Sequence, residues 1–129
     1  MLAIRQRMTV TKQFRFEAAH QLNDYGGPCA NLHGHSYLLE VSITGTSLTD
    51  GMLMDFTALK ALVQPLVDML DHNYLNIIFT VPTAEVMVLW FGRMLRAENS
   101  NICRIKLWET TTSYAEIEYE VENDDLKDQ

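Results

Sequence analysis

The chain has 129 residues, 47% of them hydrophobic and 21% charged, which suits one compact domain with a real core and excludes both a multi-domain enzyme and intrinsic disorder. The formal net charge is −7, but the stretch 116–128 carries seven acids against one lysine, leaving the other residues near neutrality at −1. No basic face is available to neutralise phosphates, so DNA and RNA are not expected partners. Two cysteines, Cys29 and Cys103, are too few for a disulfide framework, and the opening residues lack the apolar centre of a signal peptide. The longest apolar run, Val86 to Phe91, is far shorter than the roughly 20 residues of a spanning helix. These features predict a reduced, cytoplasmic protein with no membrane segment.

From Met8 to Ala18 the even positions are apolar except Lys12 and the odd ones polar, the period of a half-buried strand, and His20 falls on the apolar parity. A loop with Gly26, Gly27 and Pro28 leads to a second strand, His33 to Thr44, whose odd positions form one face. After the Asp50-Gly51 turn, Leu59, Leu62, Val63, Leu66 and Leu70 recur at helical spacing, predicting a helix over about 57–70 with a kink at Pro65. Asp71 to Asn76 reads as a connection. Pro82-Thr83 opens a second helix to about Arg96, with Thr83 as its N-cap. That helix is apolar on more than one stripe, as if another subunit covered its second face. Two further strands, about 102–110 and 114–121, read as a hairpin, and 122–129 as a frayed acidic tail.

Three histidines carry the chemistry. His33 and His35 lie two apart on a strand, so both imidazoles point the same way at a separation two ring nitrogens can close onto one ion. His20, on the matching parity of the preceding strand, offers a third ligand, and three histidines with an open fourth position describe a catalytic zinc site. A hydrogen-bonded core pair or a weak surface metal trap is the alternative. Cys29, four residues before His33, is either a fourth ligand closing a structural site or a thiolate held beside the metal as base or nucleophile. Asp71 beside His72 is either an oriented acid/base pair or a polar helix terminator. Glu109, on the parity of Cys103, Ile105 and Leu107, sits at the sheet's rim or in a pocket, where a carboxylate suits a planar array of N–H donors. Cys103 is taken as core.

The motifs Phe16-Glu17-Ala18-Ala19-His20, Cys29-Ala30-Asn31-Leu32-His33-Gly34-His35, Met54-Asp55-Phe56, Leu70-Asp71-His72-Asn73-Tyr74-Leu75-Asn76, Pro82-Thr83-Ala84-Glu85 and Glu109-Thr110 run nearly end to end. With them the sequence resembles the 6-pyruvoyltetrahydropterin synthase and 6-carboxytetrahydropterin synthase family. The resemblance implies zinc on His20, His33 and His35, with Cys29 as catalytic thiol, Asp71 and His72 assisting it, Glu109 anchoring the pterin and Thr83 reaching substrate. It implies an α+β fold, an antiparallel four-stranded sheet with two helices on one face, the tunnelling fold. Such chains assemble as trimeric barrels stacked into homo-hexamers, with active sites between subunits. The three-residue gap between Cys29 and His33 resembles the carboxy-forming branch. That branch converts 7,8-dihydroneopterin triphosphate to 6-carboxy-5,6,7,8-tetrahydropterin, releasing acetaldehyde and triphosphate, on the route to queuosine. The pyruvoyl-forming synthase, a non-catalytic zinc module with Cys29 as fourth ligand, and a zinc hydratase or hydrolase are the competing readings. The stretch from Asn76 to Pro82 is shorter than the corresponding loop of bacterial members, and no basic cluster for the triphosphate is evident, which implies a contact from a neighbouring subunit.

Overall fold

The structure is a computed structural model, and it describes residues 6–22 and 27–121, the side chain of Cys29 excepted. Its elements are β1 (Met8–His20), β2 (His33–Gly45), α1 (Phe56–Leu70), β3 (Asn73–Tyr74), α2 (Ala84–Glu98), β4 (Ile102–Trp108) and β5 (Tyr114–Glu118), with short 3-10 turns at Gly27–Ala30 and Leu75–Ile77. The predicted strands and helices are all present within a few residues. The proposed tail at 122–129 lies outside the described residues.

Alternation decides which side of the sheet is buried. Phe14, Phe16 and Ala18 of β1, Tyr37, Leu39, Val41 and Ile43 of β2, and Ile105 and Leu107 of β4 are all buried, while most of their neighbours of opposite parity are not. Leu59, Val63, Val67 and Leu70 of α1 and Met87, Val88, Phe91 and Leu95 of α2 complete the same cluster, so the core is one layer between the sheet and its helices. Helix α1 starts at an Asp55 cap, whose side chain accepts from the Thr57 N–H at 2.8 Å, and its helical assignment runs unbroken through Pro65. Thr83 caps α2 as expected, accepting from the Val86 N–H at 3.2 Å.

The sheet itself departs from expectation. It has five strands in the order β3-β1-β2-β4-β5 and is mixed, not four-stranded and antiparallel. The antiparallel four are there as β1-β2-β4-β5, but Asn73 and Tyr74 pair in parallel with Ala18 and Ala19. A two-residue strand has no period to read, which is why 71–76 looked like a plain connection. Cys103 is the second correction. The β2–β4 register slips between Ser42, opposite Arg104, and Ile43, opposite Ile102, so Cys103 is the extra residue of a bulge. Ile102 takes the core position, and the Cys103 thiol, half-buried, points its Sγ at the Ser42 carbonyl at 3.5 Å.

On α2 the predicted second apolar stripe is visible as exposed Val86, Leu89 and Met94. Its inner face includes Gly92, where a Cβ would overlap the Tyr119 hydroxyl; the Tyr119 ring in turn lies 4.5 Å beneath the Arg96 guanidinium. Gly92→Ala would ordinarily stabilise a helix by about 1 kcal/mol. Here it is expected to lower the thermal midpoint instead, because Tyr119 must leave α2, and a Tyr119→Ala background should restore the gain.

Candidate metal centre and active site

The β1–β2 register builds the centre. His20 stands directly opposite His33, and Ala18 opposite His35, so one ladder rung and the next residue of the same face bring three imidazoles to one end of the sheet. Their rings lie edge to face, with centroids 4.6 to 4.9 Å apart. The His20 Nε2 is 2.9 Å from the His33 Nε2 and 3.2 Å from the His35 Nε2. His20 is 1% exposed, and the other two are part-buried.

What the opposite ring nitrogens do decides whether this is a metal site or a hydrogen-bonded core. The His20 Nδ1 is 2.8 Å from the Pro82 carbonyl and the His33 Nδ1 is 2.7 Å from the Asn31 carbonyl. A carbonyl can only accept, so both Nδ1 atoms carry the proton and both Nε2 atoms present lone pairs. Two lone pairs facing each other at 2.9 Å repel unless a cation or an added proton lies between them. Three converging imidazoles, two of them held from behind by backbone carbonyls, are a donor set that fits zinc or a similar borderline divalent ion. The core-pair alternative leaves the facing lone pairs unexplained.

Around this centre, Glu109 follows the last residue of β4 and places its Oε1 2.9 Å from the His35 Nε2 and 3.3 Å from the His20 Nε2, while remaining 28% exposed. It therefore sits at the end of β4 against the histidine cluster. The buried Tyr37 stacks on Phe16 at 4.9 Å and sets its hydroxyl 3.5 Å from the His20 Nδ1. Burial, reinforced by the Glu109 charge, pushes the Tyr37 phenol far above its ordinary pKa, so it stays neutral. Burial chiefly, then the His20 and His33 charges, lowers His35 below its ordinary value of 6.5 against the opposing pull of Glu109.

The sign of that shift gives a pH prediction. A histidine with a depressed folded pKa binds more protons unfolded than folded, so its contribution to stability is present above about pH 6.5 and fades as the pH falls. Metal-free protein is expected to lose thermal stability on acidification below that value, less steeply in His35→Gln. Divalent-ion affinity should weaken over the same interval as protons compete for Nε2.

The other predicted residues are placed as follows. Asp71 caps the end of α1, and its Oδ1 accepts the Glu17 N–H at 2.9 Å and pairs with the His72 Nδ1 at 3.0 Å. Those two bonds, the backbone one first, hold its carboxyl below the usual range. His72 sits at φ +58° with its side chain 78% exposed. It lines, with His35, Gly34, Ser36, Ala19 and Tyr74 among others, a groove of about 460 Å³. The Asp71-His72 pair is thus oriented and accessible but is not packed onto the three histidines. Cys29 lies on the Gly27–Ala30 turn, two residues before Asn31. Thr83 serves as the α2 cap, and the residue before it supplies the carbonyl that holds His20. Pro82, Asn31 and Tyr37 were not foreseen as partners. Tyr37 shares parity with His33 and His35 and was findable on that ground, whereas backbone acceptors leave no mark on a sequence.

Known proteins share both the pattern and the fold. A family model described as 6-pyruvoyl tetrahydropterin synthase matches residues 9–120. A 6-carboxy-5,6,7,8-tetrahydropterin synthase of Synechocystis is 40% identical over 115 residues, covering 82% of this chain and 89% of its own. A dihydroneopterin monophosphate aldolase of Pyrococcus furiosus is 35% identical over 109 residues, covering 81% and 91%. The structure of Caenorhabditis elegans 6-pyruvoyl tetrahydropterin synthase superposes with a TM-score of 0.81 at 24% identity, covering 92% of this chain and all of that one, which shows the fold. With the family model spanning nearly the whole described chain, the protein belongs to the 6-pyruvoyl tetrahydropterin synthase family.

Proposed function

We propose that this chain is a zinc-dependent 6-carboxy-5,6,7,8-tetrahydropterin synthase. It acts on 7,8-dihydroneopterin triphosphate and releases acetaldehyde and triphosphate, as a cytoplasmic enzyme of the queuosine route. The observation that carries the reading is the convergence of the His20, His33 and His35 Nε2 atoms, the His20 and His33 rings fixed from behind, beside the part-exposed Glu109 carboxylate. The Synechocystis relative's name and the short gap between Cys29 and His33 favour the carboxy-forming branch.

Zinc on the three histidines would supply a Lewis acid for the substrate's side-chain oxygens, making the adjacent C–H more acidic. The remaining roles belong to the chain. Glu109 accepts two N–H bonds from the pterin ring and fixes which side-chain carbon meets the thiol. Cys29 exchanges protons with that carbon. His72, held in one tautomer by the Asp71 carboxylate, shuttles the proton onward, and because Asp71 stays ionised at neutral pH the pair keeps its orientation. Thr83, beyond its capping bond, contacts substrate.

The exposed stripe of α2 and the outer edge of β5 suit a homo-hexamer of stacked trimers. In it, the Asp71-His72 pair would serve a site completed between subunits. The triphosphate contact would likewise come from a neighbouring subunit. Incubation with 7,8-dihydroneopterin triphosphate should yield acetaldehyde and a 6-carboxy pterin in equal amounts. A 6-pyruvoyl product without acetaldehyde would overturn the carboxy-forming assignment in favour of its sister branch.

A further inference from the structure

Immediately after the buried metal ligand His20, the chain leaves β1 at Gln21, and this residue is held from two sides. The side-chain amide of Asn76 clasps its backbone, Oδ1 accepting the Gln21 N–H at 2.9 Å and Nδ2 donating to the Gln21 carbonyl at 2.8 Å. This extends the short parallel ladder that Asn73 and Tyr74 make with β1 by one side-chain rung. With its backbone fixed, the Gln21 side chain spans two elements. Its Nε2 donates to the Ala30 carbonyl at 2.7 Å, and its Oε1 accepts from the Tyr74 hydroxyl at 3.4 Å.

Ala30 is the last residue of the Gly27–Ala30 turn, the turn that carries Cys29. Within the turn the Asn31 N–H returns to the Pro28 carbonyl at 3.2 Å, which closes it on itself without attaching it to the sheet. The Asn31 carbonyl then meets His33. The turn is therefore strung between two metal ligands, and Gln21 is a tie from its body to the β1 end.

We propose that Gln21 is a positioning residue, its amide bridging the Ala30 carbonyl and the Tyr74 hydroxyl so as to fix the turn that carries Cys29. This rests on the reading of Cys29 as the catalytic thiol. Only an amide of this length does both jobs: a carboxylate lacks the donor for Ala30, and a thioether of equal length lacks donor and acceptor alike. Gln21 is only partly buried and lies outside the apolar cluster, so its side-chain bonds contribute to where the turn stands more than to whether the chain folds.

The test uses the full-length zinc-loaded protein and follows alkylation of Cys29 by iodoacetamide, resolved from Cys103 by peptide mass spectrometry, across pH. Gln21→Met is expected to shift the Cys29 rate profile by roughly three- to tenfold, the equivalent of one lost hydrogen bond. The Cys103 rate, zinc content and thermal midpoint should hold. The same variant should lower kcat by a similar factor with KM little changed. Gln21→Glu should act in the same direction, and Tyr74→Phe, which removes only the longer bond, should have a smaller effect. An unchanged Cys29 profile in both Gln21 variants overturns the proposal, as does a shift matched by a falling thermal midpoint or lost zinc, which would make Gln21 a structural tie only. If Cys29→Ala retained activity, the thiol assignment would fall by itself, while the alkylation comparison would still decide the part played by Gln21.

Discussion

Cys29→Ala is expected to abolish turnover while leaving close to one zinc per chain, whereas His33→Ala should lose both. The contrast follows from the geometry of the two groups. The imidazole of His33 is one of three whose Nε2 atoms converge and is fixed from behind by the Asn31 carbonyl, so its removal breaks the donor set itself. The three imidazoles would by themselves hold zinc and leave a position for substrate, so the cation should be retained whether or not a thiol stands nearby. Loss of a positioned acid or base costs about 10² to 10⁴ in rate. Activity of Cys29→Ala should therefore fall by that factor, measured as acetaldehyde release, with metal content read by elemental analysis. Loss of zinc together with activity in Cys29→Ala would point instead to a closed site of one cysteine and three histidines, and unfolding on metal removal would strengthen that conclusion.

Much of this arrangement is legible from the chain because it is periodic. The parity that buries Phe14, Phe16 and Ala18 carries through to His20, and the two-residue repeat of His33 and His35 aligns them with Tyr37 and Leu39, so the metal centre follows from strand alternation plus antiparallel pairing. Legibility ends where regularity does. The bulge at Cys103 shifts one thiol out of the core position that simple alternation assigns to it. The two residues of β3 are too few to show a period, although they set the Asp71-His72 turn against the end of β1. The bonds that hold His20 and His33 in place run to the Pro82 and Asn31 carbonyls, and the Gln21 side chain is held by the Ala30 carbonyl; every residue has such a group, and only three-dimensional proximity singles these out. The pairing of Gln21 with Asn76, two amides 55 positions apart, leaves no mark on the sequence for the same reason.

Glu109→Gln is expected to weaken pterin binding severely with fold and zinc content intact. The carboxylate is part-exposed at the end of β4, and one oxygen already faces His35 and His20 at 2.9 and 3.3 Å, so it is held at the centre and accessible to a ligand. A pterin's exocyclic amine and adjacent ring N–H present two parallel donors, and charge-assisted bonds of that kind are each worth about 1.5 to 3 kcal/mol. Glutamine preserves the shape but removes the charge and turns a donor toward a donor, so the loss should approach two such bonds, on the order of a hundredfold or more in affinity. The substitution has a second, independent signature. Glu109 is the one group that raises His35 against burial and its fellow histidines, so without that charge the His35 pKa of the metal-free protein should fall further. Titration of the imidazole resonances would show this, and calorimetry with a pterin analogue would report the affinity. A His35 shift with undiminished pterin binding would confine Glu109 to the metal centre and place ring recognition elsewhere, whereas loss of both identifies one carboxylate that serves the imidazoles and the substrate.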